Sequence, residues 1–210
     1  MLEELVKIEY HSKDVSKFCR SEVVSFIEST EDVEGECIFF LKRITKVATN
    51  IANSKPQYIS HMYERVYSFN RVGYQNLARI KKRSPNEQRM MAHFHSHAAS
   101  IAKKIYLETS CERWFDIFVN EKLNSIHKSL KQEVKHKAHS YSLIALSCQE
   151  YARKSENIHY LEKAKHFYKK AGILFQPIDP SKAFKFRMKA RECKYNLKRI
   201  VTEQSAYSSN

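Results

Sequence analysis

The sequence predicts an all-α chain, on three observations. Its 210 residues include only 3 Gly and 4 Pro, too few turn formers for a β-rich or loop-rich enzyme. Apolar residues recur at steps of three and four, the spacing that gathers them on one helix face. Hydrophobic residues are 42% of the chain and charged ones 29%, the proportions of a folded soluble protein. A chain of this length buries a proper core in one domain or one short superhelix, so a single helical domain over 1–210 is expected.

The elements follow in order. Residues 1–36 form an acidic N-terminal segment whose first helix is opened by Ser12 as a cap, with Val15, Phe18, Cys19, Val23 and Ile27 as its apolar stripe, and ends near Ser29. Gly35 allows the turn that follows. A first hairpin over 37–88 pairs CIFFLKRITKVATNIANS, which stops before Pro56, with YISHMYERVYSFNRVGYQNLARIKK, which carries Tyr63, Tyr67, Phe69 and Tyr74. SPNEQ then breaks the pattern and offers Ser84 or Asn86 as the next cap.

A second hairpin spans 89–134. Met91, Phe94, Ala98, Ile101 and Ile105 share one face of its first helix, and Ala92, His95, Ala99, Ala102 and Tyr106 a neighbouring one. His93, His97, Ser100 and Lys104 make a third, polar face. Its partner helix, RWFDIFVNEKLNSI, is led by Trp114, Phe115, Phe118 and Val119, and the short connection predicts an antiparallel pair. A third hairpin occupies 135–180. At QPIDP, Asp179 can cap and Pro180 can take the first position of a basic C-terminal helix over 181–201.

A shift of 46 residues aligns Ala92, His93, Ser96 and Ala99 with Ala138, His139, Ser142 and Ala145. It also sets Tyr141 where His95 stands, Tyr160 where Trp114 stands, and Leu161 where Phe115 stands. A period of this size is a signature of stacked helical hairpins. It bears on the stretch AHFHSHAAS, where His93, His95 and His97 alternate. A helix turns about 100° per residue, so His95 points away from the other two and the three cannot converge on one metal. No Glu follows His93 as an HExxH zinc site would need. The five cysteines are scattered and never paired as CxxC, which predicts reduced thiols. No metal site and no cofactor is expected.

The segment YLEKAKHFYKKAGILFQP carries Ala164, Tyr168, Ala171 and Pro177. It resembles the second helix of a tetratricopeptide repeat, in which two alanines admit a neighbouring helix and an aromatic fills the gap between hairpins. Pro177 comes one residue late, the family's first-helix pattern is not clean in KAHSYSLIALSCQEYARKS, and the period is longer than the family's. The resemblance implies stacked antiparallel hairpins forming a short TPR-like α-solenoid, of about 7–8 helices. It also implies a concave surface that takes up a peptide or a partner helix.

Charge is divided along the chain. Residues 1–36 hold 4 Lys/Arg and 10 Asp/Glu, net −6, so the rest of the +14 chain carries +20. Such a field favours polyanions, RNA or DNA or an acidic protein surface. It is also what results if the acidic segment simply docks on its own basic body. Between Lys182 and Arg199 there are eight Lys/Arg against one acid, Glu192.

Three functions compete. The first is a non-enzymatic interaction module for a protein or peptide, with the polar faces of the hairpins' first helices (His93, His97 and Ser100; His139 and Ser142) as the expected groove floor. The second is nucleic-acid binding, with phosphates expected at Arg79, Lys81, Lys82 and Arg83 and at Lys185, Lys189, Arg191, Lys194, Lys198 and Arg199. The third rests on a resemblance to small helical RNases of the HEPN type. Arg89 and His95 have the family's spacing, but Met90 stands where it needs a polar residue; the pair would supply phosphate charge and proton transfer. No phosphate-binding loop, dinucleotide fingerprint, GxSxG or HExxH motif is present, and no enzyme is expected. Nor is a membrane span, since no apolar run reaches the roughly 20 residues required. MLEELVKIEY does not read as a signal peptide, so an intracellular, cytoplasmic protein is expected.

Overall fold

A computed structural model describes residues 59–78 and 82–207. The two helices expected before residue 56, together with Arg79 and Lys81, lie outside these residues. All regular structure among them is α-helical, as the scarcity of glycine predicts. The described residues form six helices: α1 (Ile59–Ala78), α2 (Pro85–Thr109), α3 (Glu112–Lys128), α4 (Val134–Ser155), α5 (Ile158–Phe175) and α6 (Pro180–Tyr207). They divide into two compact units, α1–α3 and α4–α6, with the boundary between Leu130 and Lys131. In each unit consecutive helices pack on one another, and the middle helix touches both others. Among the described residues no helix is long and apolar enough to cross a membrane.

Local chemistry sets the ends. Ser84 closes a full capping box on α2: its hydroxyl accepts from the Glu87 amide at 3.2 Å, while the Glu87 carboxylate accepts from the Ser84 amide at 2.6 Å. Pro85 follows at the first turn, where a missing N–H costs nothing. Asp179 caps α6 through the Lys182 amide at 3.0 Å.

The 46-residue period is visible in the backbone. Helix α2 ends at Thr109 and α3 begins at Glu112; 46 residues on, α4 ends at Ser155 and α5 begins at Ile158. The corner residues Ser110 and Glu156, also 46 apart, have φ of 53° and 55°, and they alone among the described non-glycine residues have positive φ. A left-handed residue after the last helical turn reverses the chain within two residues and lays the next helix back antiparallel.

In the first unit Tyr63 and Val66 of α1 pack on Ile101 and Ile105 of α2, with Tyr67 and Trp114 at the margin. Ala98, Ala99 and Ala102 have no exposed surface, which lets the neighbouring helices approach closely. In the second unit Ala164, Tyr168 and Ala171 are fully buried in α5. Tyr168 stacks on Phe186 of α6 and donates to Gln149 of α4 at 2.8 Å. Gly172 permits a close approach of α6: a Cβ there would stand 3.2 Å from Cγ of Arg187 and 3.3 Å from the Ala183 carbonyl oxygen.

Candidate functional site

Helices α1 and α3 lie on either side of α2 and wall an open groove of about 630 Å³. From α1 come Glu64, Tyr67, Ser68, Arg71 and Tyr74, and from α3 Arg113, Trp114, Ile117, Asn120 and Glu121. Within each helix these residues step by three and four, so each wall is one helical face.

One buried carboxylate ties the three helices together. Glu121 of α3 is 5% exposed. Its Oε2 lies 2.6 Å from Nδ1 of His95 on α2, and its Oε1 accepts from the Tyr67 hydroxyl of α1 at 2.9 Å. With both oxygens engaged, the carboxylate meets the requirement that a buried charge be fully hydrogen-bonded. Burial first, and then this carboxylate, hold the Tyr67 phenol above its ordinary pKa, so it remains a donor. Tyr74 stacks on the His95 ring at 4.1 Å between centroids. Tyr67 meets Trp114 across the groove edge-on at 5.3 Å. Interaction with Tyr74 raises the Arg71 pKa and keeps a cation on the α1 wall.

The cluster has the residue types of an acid–base site without the access. His95 is 4% exposed and covered by Tyr74. Arg89 is hydrogen-bonded to Asn86, and it stands about 9 Å from His95 along the helix axis and roughly 240° around it. The two do not share a face. His93, His95 and His97 likewise diverge, and among the described residues no three His, Cys, Asp or Glu side chains gather as metal ligands.

The other residues singled out from sequence lie elsewhere. His97, expected on the polar floor of a groove, is largely buried against α1, with Nδ1 2.9 Å from Oδ1 of Asn70. Asn70 in turn donates to the Val66 carbonyl at 2.6 Å, so its oxygen is turned to accept from His97. Burial and then Lys104 lower the His97 pKa to about 4. His93 is partly buried and Ser100 is exposed, its hydroxyl donating to the Ser96 carbonyl. His139 is exposed, whereas Ser142 is buried and donates to the His139 carbonyl at 2.7 Å. None of these five lines the groove.

Of the basic residues, Lys82 is exposed, and Arg83 donates to the carbonyls of Leu77 and Ala78 and so caps α1. On α6, Lys185, Arg191, Lys194, Lys198 and Arg199 are exposed. Lys189 reaches over the Tyr168 ring, and Arg199 pairs with Glu203.

Of the groove residues, the sequence marks Tyr67, Tyr74 and Trp114 only as aromatics of their helices, and Arg71, Arg113, Asn120 and Glu121 not at all. The signal was a charged residue in an apolar stripe, Glu121 between Phe118 and Ser125 on the buried side of α3. Comparison with known protein families, with curated proteins and with solved structures finds no match to this chain.

Proposed function

We propose that the chain is a non-enzymatic helical-repeat interaction module whose α1–α3 groove receives an acidic segment of a partner protein. The observation that carries this reading is the groove's composition. Its walls carry Tyr67, Tyr74 and Trp114 with Arg71 and Arg113, the residue types that supply most of the energy of protein interfaces; of the two acids there, Glu121 has both oxygens engaged by His95 and Tyr67, and Glu64 is exposed. The two arginines favour a carboxylate-bearing segment, and guanidinium binds carboxylate in a two-pronged geometry that an ammonium cannot match. The Glu121 clamp holds the walls in place before binding, which lowers the ordering cost of association.

The reading of the chain as a short TPR-like solenoid belongs to the same proposal. It is supported by the hairpin corner that recurs at Ser110 and Glu156 and by the buried Ala164, Tyr168 and Ala171.

A random peptide library selected against the full chain, then against an Arg71→Ala/Arg113→Ala variant, tests it. Acidic peptides retained by the parent and lost by the variant are expected. Failure to enrich any sequence, or enrichment indifferent to the two arginines, would refute it.

A further inference from the structure

Helix α6 presents a second surface of different chemistry. Its buried stripe is Ala183, Ala190, Cys193 and Leu197, which packs inward within the second unit. On a face centred about 150° around the helix, Phe184 and Tyr195 are 64% and 69% exposed, with Met188 between them at 44%. These three, with Lys185, Lys189 and Arg191, border a shallow open surface depression of about 710 Å³. Large rings so fully exposed on a helix that already buries another stripe contribute nothing to their own fold.

Two kinds of occupant suit an exposed apolar and basic face: an acidic amphipathic helix and a single-stranded nucleic acid. The cores of protein interfaces are depleted in lysine and close over continuous apolar area. Here Lys185, Lys189 and Arg191 border the same depression as Phe184, Met188 and Tyr195, so cations interrupt the apolar area. Flat rings set singly among cations suit a strand whose bases stack on the rings while its phosphates meet the ammonium groups. A second copy of the same face would oppose like charges. One acid lies in the depression, Glu192, which is 3.8 Å from Arg153 and accepts from Gln149. Its charge is thereby partly offset.

We infer that the exposed face of α6 binds single-stranded RNA or DNA without sequence specificity, through stacking on Phe184 and Tyr195 and phosphate contacts from Lys185 and Arg191. Lys185 and Arg191 both border the depression, and their separation along the chain spans about 9 Å of helix axis, within reach of one backbone. The partner-protein groove of α1–α3 plays no part in this site, so either reading can fail without the other.

The test is fluorescence anisotropy of the full chain with a labelled oligouridylate of about 12 nucleotides, titrated at about 50 and about 300 mM salt. Phe184→Ala/Tyr195→Ala should weaken binding about tenfold or more at both salts while leaving the salt slope alone. Lys185→Ala/Arg191→Ala should reduce that slope by about 1 to 2. Duplex DNA, whose bases are not free to stack, should bind more weakly than the oligouridylate, and Arg71→Ala/Arg113→Ala should bind it like the parent chain. All four substituted α6 side chains are exposed, and unchanged thermal midpoints will show that the variants fold. Equal binding by the ring variant and the parent, or parent binding that vanishes at the higher salt, would overturn the inference. So would an acidic helical peptide that binds through these residues when the oligouridylate does not.

Discussion

His95 and Glu121 meet at 2.6 Å inside the first unit, and 46 residues later Tyr141 and Phe167 stack in their place at 5.9 Å between ring centroids. The same position between hairpin helices is thus filled once by an ionic hydrogen bond and once by two rings. Glu121→Ala leaves His95 and the Tyr67 hydroxyl without their buried acceptor, and should cost about 3 kcal/mol in urea unfolding. The double replacement His95→Tyr/Glu121→Phe, which copies the second hairpin, should recover most of that loss. The orphaned Tyr67 hydroxyl would account for the remaining roughly 1 kcal/mol. A double variant less stable than Glu121→Ala would contradict the equivalence of the two sites.

The two hairpin corners hold side chains in a backbone region that favours glycine. Ser110→Gly and Glu156→Gly relieve that strain, at φ 53° and 55°, and lose part of the gain to the greater freedom of glycine in the unfolded chain. Each should raise stability by about 0.5 kcal/mol, and the pair should add. Denaturant midpoints measure it, and destabilisation by either variant would show that the corner geometry is not as described.

His97 makes stability depend on pH. Its neutral form is favoured in the folded state, where its pKa falls to about 4, while the unfolded chain takes up a proton near 6.5. The unfolded state therefore binds more protons between these values. The contribution is complete above pH 6.5 and shrinks as pH falls towards 4, by about 2–3 kcal/mol. His97→Gln should flatten the dependence of unfolding free energy over this window. An unchanged slope would remove His97 as its source.

Lys122 is 8% exposed and donates to the Ser96 hydroxyl at 2.8 Å. Burial, then Lys103, lower its pKa, so the folded state carries a penalty for charging it that fades as pH rises towards 10.5. Lys122→Met keeps the volume and removes the charge. At neutral pH it should raise the thermal midpoint, by about 1 kcal/mol of stability, and the gain should shrink in alkaline buffer.

Features carried by near neighbours were legible in the sequence. The Ser84 cap, the Asp179–Pro180 start of α6 and the alanines around Tyr168 each depend on residues within one or two turns, and each is found where the sequence put it. The groove was not legible because it joins residues far apart: Tyr67 and Glu121 are 54 positions distant. His95 shares its helix face with alanines, and nothing in its own helix signals the carboxylate of Glu121 beneath it. His97 stands on a polar face of its own helix, but α1 packs over His97 there and supplies Asn70. No glycine marked the corners, so the positive φ of Ser110 and Glu156 had no signal at all.

Trp114 is the single tryptophan of the chain and stands in the groove wall, so its emission reports occupancy directly. Titrating the full chain with an acidic peptide recovered from the library should shift that emission saturably, with the same midpoint as binding measured calorimetrically, and Arg71→Ala/Arg113→Ala should abolish both. Calorimetric binding that leaves Trp114 emission untouched would place the partner elsewhere and contradict the assignment of the α1–α3 groove as the interaction site.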